Sequence, residues 1–548
     1  AAIAAIALLS ACRDRPAPPI QLVLANGKVF TASLERPWAE AIWIRGDRIG
    51  FVGTTDEVRA AAGPDVPELD LRGRVVIPGL NDSHDHIHPP IPSVVIATGT
   101  DPLPDPSLDL VADSLRVAVA RHPEGTRLEI AVGERILSDP RARRVVLDRI
   151  APRHPVALRA WSGHGQVLNS AALAAAGISD VDPDPLGGRY ERDGAGRLTG
   201  LLEEYAGYRL FAPKGIDDSA VVAAFRARAA EMVGWGVTSI QNMTTGFEPE
   251  QLARVISSLD LPVRLRLIAF PLTSESARIT EPWQALRRTA RVDVSGVKYV
   301  LDGTPIERLA TLRAPYQDRR GWYGRLNFPP DTLRAIFQEA LTAGQQPLIH
   351  AVGDSAVALV LSTLSEVAPD SVWRRIRPRI EHGEGLTPDL MSRAEQLGVV
   401  IVQNPSHLAL GVPLNSARYG NRRTGMQPMK SLAAHGIMLA LGSDGPLNPF
   451  LNIMFAVLHP DNPAEALTVE EAVRAYTLGS AFAENKNLEK GTLTPGMYAD
   501  LAVLSQDIFT IPPTELPGTV SVFTMKGGVA VHDPNNWAAP LVIAGQER

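Results

Sequence analysis

The chain has 548 residues, more than a single ordinary domain, so a large domain with appended or inserted pieces is expected. A formal net charge of −6 and 21% charged residues are typical of an ordinary globular surface. Since the sequence has no basic stripe with interleaved aromatic residues, nucleic acid is not expected as a partner.

The first segment, residues 1–19, differs from the rest of the chain. It begins AAIAAIALLSAC, an apolar run too short to span a bilayer, as in the hydrophobic part of a secretory signal. The end of this run resembles a bacterial lipobox, and Cys12, the only cysteine, cannot form an intramolecular disulfide. We therefore predict a lipoprotein signal, with acyl chains on Cys12 that anchor the protein in the bacterial cell envelope, facing the periplasm or the exterior. The alternative is an apolar N-terminal strand or helix with a chance cysteine.

A Pro-rich stretch, RDRPAPPI, follows as a stiff spacer, and the pattern then changes to short alternating runs. QLVLANGKVFTA, AIWIRGDRIGFVG and RVVIPG contain Asn-Gly and Gly-Asp turn signals, which predict antiparallel strands over residues 20–77. ADLAVLS and VSVFTMKGGVAVH predict further strands within residues 490–540.

Strands alternate with helices over residues 78–489. After the run that ends at His84, seven more strands are predicted in VTSIQNM, VRLRLIAF, VKYVLDG, PLIHAVG, RPRIEHG, VVIVQNP and IMLALGSD. AVVAAFRARAAEMVGWG, with Gly236 as the expected C-cap, and PDTLRAIFQEALTAG are helical patterns. Eight such strands predict an α/β fold of the (β/α)₈ TIM-barrel type. Residues 88–222 are too long for one loop and predict an inserted subdomain on the C-terminal rim after the first barrel strand.

Polar residues stand at the ends of several of these buried runs, as they do where parallel strands open onto a rim. They are His84, His86, Lys298, His350, His382 and Asp444. Because His84 and His86 are separated by one residue, they point the same way from a strand and can reach one ion. A lysine in an apolar strand is costly unless its charge is paired or chemically changed. The pattern therefore predicts a metal site at the rim.

The ordered series PGLNDSHDH, VKYVLDG, HAVGD, RIEHGE and LGSDGP resembles the amidohydrolase superfamily. WSGHGQVLNSAALAAAGI and DPDPLGGRYERDGAGRLTGLLEE are similar to the inserted segment of its YtcJ-type branch, amidohydrolase family 3, which includes N-substituted formamide deformylase. The resemblance covers nearly everything after the leader. It implies that the two chain ends pair into one composite β-sandwich beside the barrel.

The resemblance also implies a set of metal ligands. One divalent ion is expected to be held by His84, His86, Lys298 and Asp444, and a second by Lys298, His350 and His382. Zinc is the first choice for this mixture of imidazole and oxygen ligands, with manganese, iron and cobalt as alternatives. In related enzymes the lysine on this strand has reacted with carbon dioxide and bridges two metals. Lys298 is therefore expected to be carboxylated, the alternatives being a neutral amine or an ammonium paired with a carboxylate such as Asp302.

Asp444 is the candidate general base and acid beside a hydroxide that bridges the metals, taking a proton from the attacking water and passing it to the departing nitrogen. His164, in the inserted sequence SGHG, is a candidate contact to the substrate carbonyl or oxyanion, against the alternative of a hydrogen-bonded loop histidine. Related sequences carry an acidic residue where Ser162 stands, which affects the expected substrate contacts. Gln403 and His407 are candidate rim contacts alongside His164, and Arg308 and Tyr316 are weaker candidates. His88 is expected beside the ligands rather than among them, and Asp82 and Asp85 are expected to tune the neighbouring histidines.

These residues favour a metal-dependent hydrolase that cleaves a C–N bond in a small amide, formamide or N-acyl compound. One alternative is an ester, lactone or cyclic amide or imide hydrolase, or a deaminase, that uses the same metals. The other is a non-catalytic, lipid-anchored protein that binds a small molecule. A small amide-type substrate and a membrane surface are the expected partners, and a homodimer is left open.

Overall fold

The centre of the protein, seen in a computed structural model, is a parallel barrel of eight strands. The structure describes residues 21–100, 104–211, 215–272, 286, 288–289 and 291–537. The barrel strands are Leu80–Asp85, Val237–Met243, Arg264–Ala269, Val292–Val300, Pro347–Ala351, Arg379–His382, Val400–Gln403 and Leu439–Leu441. Each pairs in parallel with the next along the chain, which confirms the predicted (β/α)₈ barrel and all eight of its strands.

The last strand meets the first at the rim where the polar residues cluster. The backbone N–H of Asp444 donates to the carbonyl oxygen of His84 at 2.8 Å, and that of Ser443 donates to Asp82 Oδ1 at 2.9 Å. A Cβ at Gly442 would lie 2.5 Å from the backbone nitrogen of His84, so only glycine allows this approach. The closure of the barrel therefore brings Asp444 beside the histidines of the first strand.

Helices cover the outside of the barrel and bury their apolar faces against the strands. They are Asp218–Val233, Pro249–Val255, Pro330–Thr342, Asp354–Val367, Asp370–Ile376, Pro388–Leu397, Met429–Ala434, Pro449–Leu458, Val469–Arg474 and Ser480–Ala483. A further helix, Gly411–Tyr419, lies at the rim, where Leu414 packs against the core of the inserted segment. Phe225, Phe337 and Leu364 lie in one apolar core with strand residues such as Ile240 and Leu348. The first of these helices ends at Val233 rather than at the predicted Gly236, which instead takes a left-handed conformation (φ +82°) just before the second barrel strand.

Both chain ends contribute to a β-sandwich beside the barrel. One sheet contains Gln21–Ala25, Ala41–Arg45, Arg48–Gly53 and Glu68–Asp70, and the helix Thr55–Ala62 packs against it. The other contains Lys28–Phe30, Trp38–Ala39, Val75–Pro78, Leu501–Leu504, Ser521–Lys526 and Val529–His532. Leu24 and Ile42 of the first sheet share a core with Val503 and Phe523 of the second.

The segment between the first two barrel strands has a six-stranded mixed sheet of its own. Its strands are Val94–Val95, Leu128–Val132, Val156–Ala160, Gly165–Leu168, Gly188–Arg192 and Leu198–Glu204. Its helices are Leu108–Arg121, Glu134–Ser138, Arg144–Ile150, Ser170–Ala175 and Tyr205–Tyr208. Ile306, from the loop after the fourth barrel strand, packs into the core of this sheet, so the inserted segment is tied to the catalytic rim.

The predicted lipid-bearing residue, Cys12, lies outside the described residues. Within the part of the chain that the structure describes, no helix is both long and apolar enough to cross a bilayer.

Candidate metal centre

His84 and His86 face each other at the end of the first barrel strand. Their Nε2 atoms are 3.3 Å apart. His84 Nδ1 lies 2.7 Å from the Glu381 carboxylate, and His86 Nδ1 lies 2.9 Å from Thr245 Oγ1 and 3.2 Å from the Met243 carbonyl oxygen. Because carboxylate and carbonyl oxygens only accept, this network places the ring protons on the two Nδ1 atoms. Two nitrogen lone pairs then point at each other, an arrangement that a cation between them satisfies.

Asp444 completes this group. Its Oδ1 lies 3.6 Å from Nε2 of His84 and 3.6 Å from Nε2 of His86. Ligands about 2.1 Å from a tetrahedral zinc ion are separated by roughly 3.4 Å, so these spacings fit one ion. Asp444 has a left-handed backbone conformation (φ 48°), as does His382 (φ 69°). Such conformations are costly outside glycine and are found where the surrounding structure holds a functional group in place.

His350 and His382 form the second half of the centre, with Lys298 beside them. The rings of His350 and His382 are 4.4 Å apart, and His382 Nε2 is 3.8 Å from Asp444 Oδ2. His350 Nε2 is buried and, among the described residues, has no hydrogen-bond partner, as expected of a ligand atom reserved for a cation. Lys298 is 1% exposed and lines a cavity together with His84 and His86. Its backbone lies inside the fourth barrel strand rather than at the end of that strand.

The four histidines are neutral at physiological pH. Burial is the largest cause that lowers the pKa of His84, His86, His350 and His382 well below the ordinary value, and the positive charge of Lys298 adds to it. Neutral imidazole is the form that binds metals.

The alternative pairing of Lys298 with Asp302 is wrong. Asp302 accepts hydrogen bonds from the backbone N–H groups of Thr311, Val352 and Gly353 at 2.8 to 3.0 Å. It therefore shapes the loops at the rim, and within the described residues no carboxylate forms an ion pair with Lys298. Glu381 and Asp444 attract the charge of Lys298 without forming an ion pair with it, so burial of the amine keeps a free-energy cost that a chemical change would remove.

His164 comes from the inserted segment and is held by acidic residues. Its Nδ1 lies 3.0 Å from Glu204 Oε2 and 3.0 Å from the Tyr208 hydroxyl. Burial by itself would lower the pKa of His164, but the negative charges of Glu204, Glu307 and Asp444 raise it to about 9. The ring is therefore an imidazolium at neutral pH, and it faces the cavity that contains His350 and Asp444.

Three acidic residues of the site were missed by sequence reasoning. Glu381 holds His84 and is itself paired with Arg379 at 2.8 Å, and Glu204 holds His164. Glu307 accepts a hydrogen bond from Ser162 Oγ at 2.5 Å, so it supplies a carboxylate next to the position where related sequences are expected to carry an acidic residue. The charge of Glu381, two residues after Arg379 on a buried strand, was the one signal available in the sequence.

The predicted rim contacts separate into two groups. His407 reaches the centre, with Nε2 3.8 Å from Asp444 Oδ2 and its ring stacked on His382. Tyr316 donates a hydrogen bond to the Ala310 carbonyl oxygen. Arg308 forms ion pairs with Glu134 and Asp318. Neither residue lines the cavity that contains His164 and Asp444.

Gln403, also expected at the rim, is fully buried at the end of the seventh strand and does not line the catalytic cavity. His88 stacks on His86, with ring centroids 5.9 Å apart. Asp85 forms an ion pair with Arg228, and Asp82 accepts hydrogen bonds from backbone N–H groups. Both carboxylates therefore have partners outside the group formed by His84, His86 and Asp444.

The catalytic cavity has two adjoining parts. One, of about 300 Å³, lies over His84, His86 and Lys298. The other, of about 220 Å³, extends towards the loops that follow the sixth and seventh strands. Trp161, Ser162 and His164 of the inserted segment line both parts, so this segment forms a wall of the substrate cavity.

Comparisons with known proteins agree with this geometry. The model of the amidohydrolase family matches residues 68–532. The amidohydrolase YtcJ of Bacillus subtilis is 29% identical over 90% of this chain and 95% of its own length. N-substituted formamide deformylase of Arthrobacter pascens is 27% identical over 89% of this chain and 93% of its own.

Among solved structures, an uncharacterized metal-dependent hydrolase from Pyrococcus furiosus superposes with a TM-score of 0.67 at 22% identity, covering 89% of this chain and 100% of that one. The fold and the site are those of a hydrolase built on a (β/α)₈ barrel. The chain belongs to the amidohydrolase family, as its sequence motifs predicted.

Proposed function

We propose that the protein is a metal-dependent hydrolase that cleaves the C–N bond of a small formamide, amide or N-acyl compound. The observation that supports this proposal is the position of His84 and His86, whose Nε2 atoms are 3.3 Å apart with the Asp444 carboxylate beside them. The similarity to N-substituted formamide deformylase over nearly the whole chain supports the choice of the C–N bond.

The ligands available fit two divalent ions, with zinc as the first choice. His84, His86 and Asp444 would hold one, and His350 and His382 the other. Carboxylation of Lys298 would remove its positive charge and supply oxygen atoms to both, which is consistent with its burial without a carboxylate partner. When bound, such ions lower the pKa of water towards neutrality and polarise a carbonyl group.

The chain's own residues would move the protons and orient the substrate. Without metal, burial raises the pKa of Asp444 to about 7, against the opposing charges of Lys298 and His164. Asp444 lies beside the two histidines that would hold an ion, so its carboxylate is placed to exchange a proton with a water there. It would take a proton from the attacking water and pass it to the amine nitrogen as the C–N bond breaks. His164 would donate a hydrogen bond to the carbonyl oxygen, where negative charge develops.

The experiment combines metal analysis with a substrate panel. Purified wild-type protein, incubated with zinc, manganese or cobalt, is expected to retain divalent metal and to release amine from N-substituted formamides or N-acyl amines. The double variant His84→Ala/His86→Ala should lose at least one ion per chain together with activity. Matched esters and lactones in the same panel test the alternative bond. Wild-type protein that stayed metal-free in all three metals would contradict the proposal.

A further inference from the structure

The part of the catalytic cavity farther from His84 and His86 has Glu384 in its wall, and the charged residue His164 in the same wall is already paired with Glu204. Its lining includes Glu384, which follows the metal-ligand strand that ends at His382, and Gln427, from the loop after the seventh strand. Among the described residues that line this part, none is lysine or arginine. Arg423, on the same loop as Gln427, pairs with Asp461 at 3.0 Å and so does not compensate Glu384.

Glu384 and Gln427 are joined in a way that leaves acceptors available. The Gln427 side-chain nitrogen points towards Glu384 Oε1, 3.4 Å away, and the Gln427 backbone N–H donates to the Glu384 carbonyl oxygen at 2.9 Å. The amide nitrogen must face the carboxylate, because the reverse orientation would bring two acceptors together. Gln427 is 3% exposed, yet within the described part of the chain its Oε1 has no donor.

A buried acceptor without a donor has a free-energy cost that a ligand can remove. The group that a ligand in the cavity can meet is the Glu384 carboxyl, whose pKa burial raises to about 7. A positively charged N–H donor fits best there, because it would hold this carboxyl in its ionised form. Ile306, Val352 and Pro446 line the same part of the cavity as Glu384 and the catalytic Asp444. A ligand that reaches from the catalytic centre to Glu384 therefore crosses an apolar surface.

We propose that Glu384 and Gln427 form a subsite for an amino group, so that the preferred substrate is an N-acyl compound with a short apolar spacer and a second, basic nitrogen. This inference rests on the proposed C–N hydrolase function and adds a substrate class to it. N-acyl amino acids are disfavoured, since their carboxylate would meet Glu384, and the His164 imidazolium is already paired with Glu204.

The test uses three acetamides that share a chain of four carbon atoms on the amide nitrogen and differ at its far end: monoacetylated 1,4-diaminobutane, N-butylacetamide and N-acetyl-4-aminobutanoate. With the metal-loaded, full-length protein, kcat/KM should fall in that order. Glu384→Gln should lower kcat/KM for the diamine by about 10- to 100-fold, the usual value of a hydrogen bond to a charged group, and leave N-butylacetamide within about threefold. Gln427→Met, which keeps the side-chain volume, should lower kcat/KM severalfold for the diamine only.

Two controls make the result specific. Glu35→Gln, an exposed change far along the sequence from the cavity, should leave all three rates unchanged. The melting temperature and metal content of Glu384→Gln must match those of the wild type, and if they do not, Gln427→Met carries the test. Equal kcat/KM for the diamine and N-butylacetamide, or a preference that survives in the variants, overturns the subsite while the hydrolase function stands.

If none of the compounds is hydrolysed, calorimetric binding of the same three compounds separates the two proposals. Weaker binding of the diamine to Glu384→Gln, with N-butylacetamide unaffected, supports the subsite although the C–N hydrolase proposal has failed for this class. Equal binding of the diamine to wild type and variant overturns the subsite as well.

Discussion

Replacement of Lys298 by methionine separates two effects of this lysine: the free energy of unfolding lost by burying its charge, and its contribution to metal binding. Burial lowers the pKa of Lys298 from 10.5 to about 8, although Glu381 and Asp444 attract its charge. This difference corresponds to about 3 kcal/mol by which the buried ammonium destabilises the fold at neutral pH. The side chain is 1% exposed, so solvent screening does little to reduce the effect.

The sign of the pH dependence follows from the direction of the shift. Because the folded pKa lies below the unfolded pKa, the cost is fully present below pH about 8 and disappears as the pH rises to 10.5. The metal-free Lys298→Met variant should therefore be more stable than metal-free wild type at neutral pH. The expected rise in melting temperature is roughly 3 °C if a chain of this length melts as one unit, and it should shrink in alkaline buffer.

Calorimetry of chelator-treated proteins at the two pH values measures this difference, and elemental analysis after reloading with zinc and bicarbonate measures metal content. The variant should lose the second ion and its activity if Lys298 bridges the metals. Lys430→Met, which removes a surface ion pair with Glu471, is the control and should change stability by less than about 1 kcal/mol. A metal-free Lys298→Met that is less stable than wild type at neutral pH refutes the account of an uncompensated charge, and a full metal complement refutes bridging.

Three further predictions concern the groups around the centre. Glu381→Gln should weaken metal binding by about 10- to 100-fold in a chelator titration, because His84 loses its carboxylate partner, and should lower the melting temperature, because Arg379 remains buried with its charge. Glu204→Gln should move the alkaline limb of the kcat/KM profile down from about pH 9, because this carboxylate is what raises the pKa of His164; an unmoved limb would exclude His164 as the titrating group. Cys12→Ser should move the protein from the membrane fraction to the soluble fraction on cell fractionation, since one anchor is removed; a variant that stays with the membrane contradicts lipidation.

Most of the barrel and the candidate ligands at its rim could be predicted because both have local causes. A strand buried on both faces must be apolar along its length, so each barrel strand is a short hydrophobic run in the sequence. The ligands His84, His350 and His382 stand at the ends of such runs, where the chain opens onto the rim. Side chains alternate between the two faces of a strand, so residues separated by one position, such as His84 and His86, point in the same direction.

The partners of these ligands could not be predicted, because they are far away along the chain. Glu381 is 297 residues from His84, and Glu204 is 40 residues from His164. His407 was only one of several rim candidates until the seventh-strand loop placed it against His382. Apart from the position of Glu381 on a buried strand, nothing in the linear pattern distinguishes these supporting carboxylates from carboxylates that are solvated at the surface.

The sequence by itself determined the barrel, the residues that ring its open end and the family to which the chain belongs, because hydrophobic burial and strand alternation act over a few neighbouring residues. The tertiary structure alone decided which tautomer His84 presents, that Asp302 serves the loops rather than Lys298, and that Glu384 and Gln427 meet in one cavity. The physical reason is that hydrogen bonds and charges act between groups a few ångströms apart, and only the closure of the barrel and the docking of the inserted segment bring those groups together.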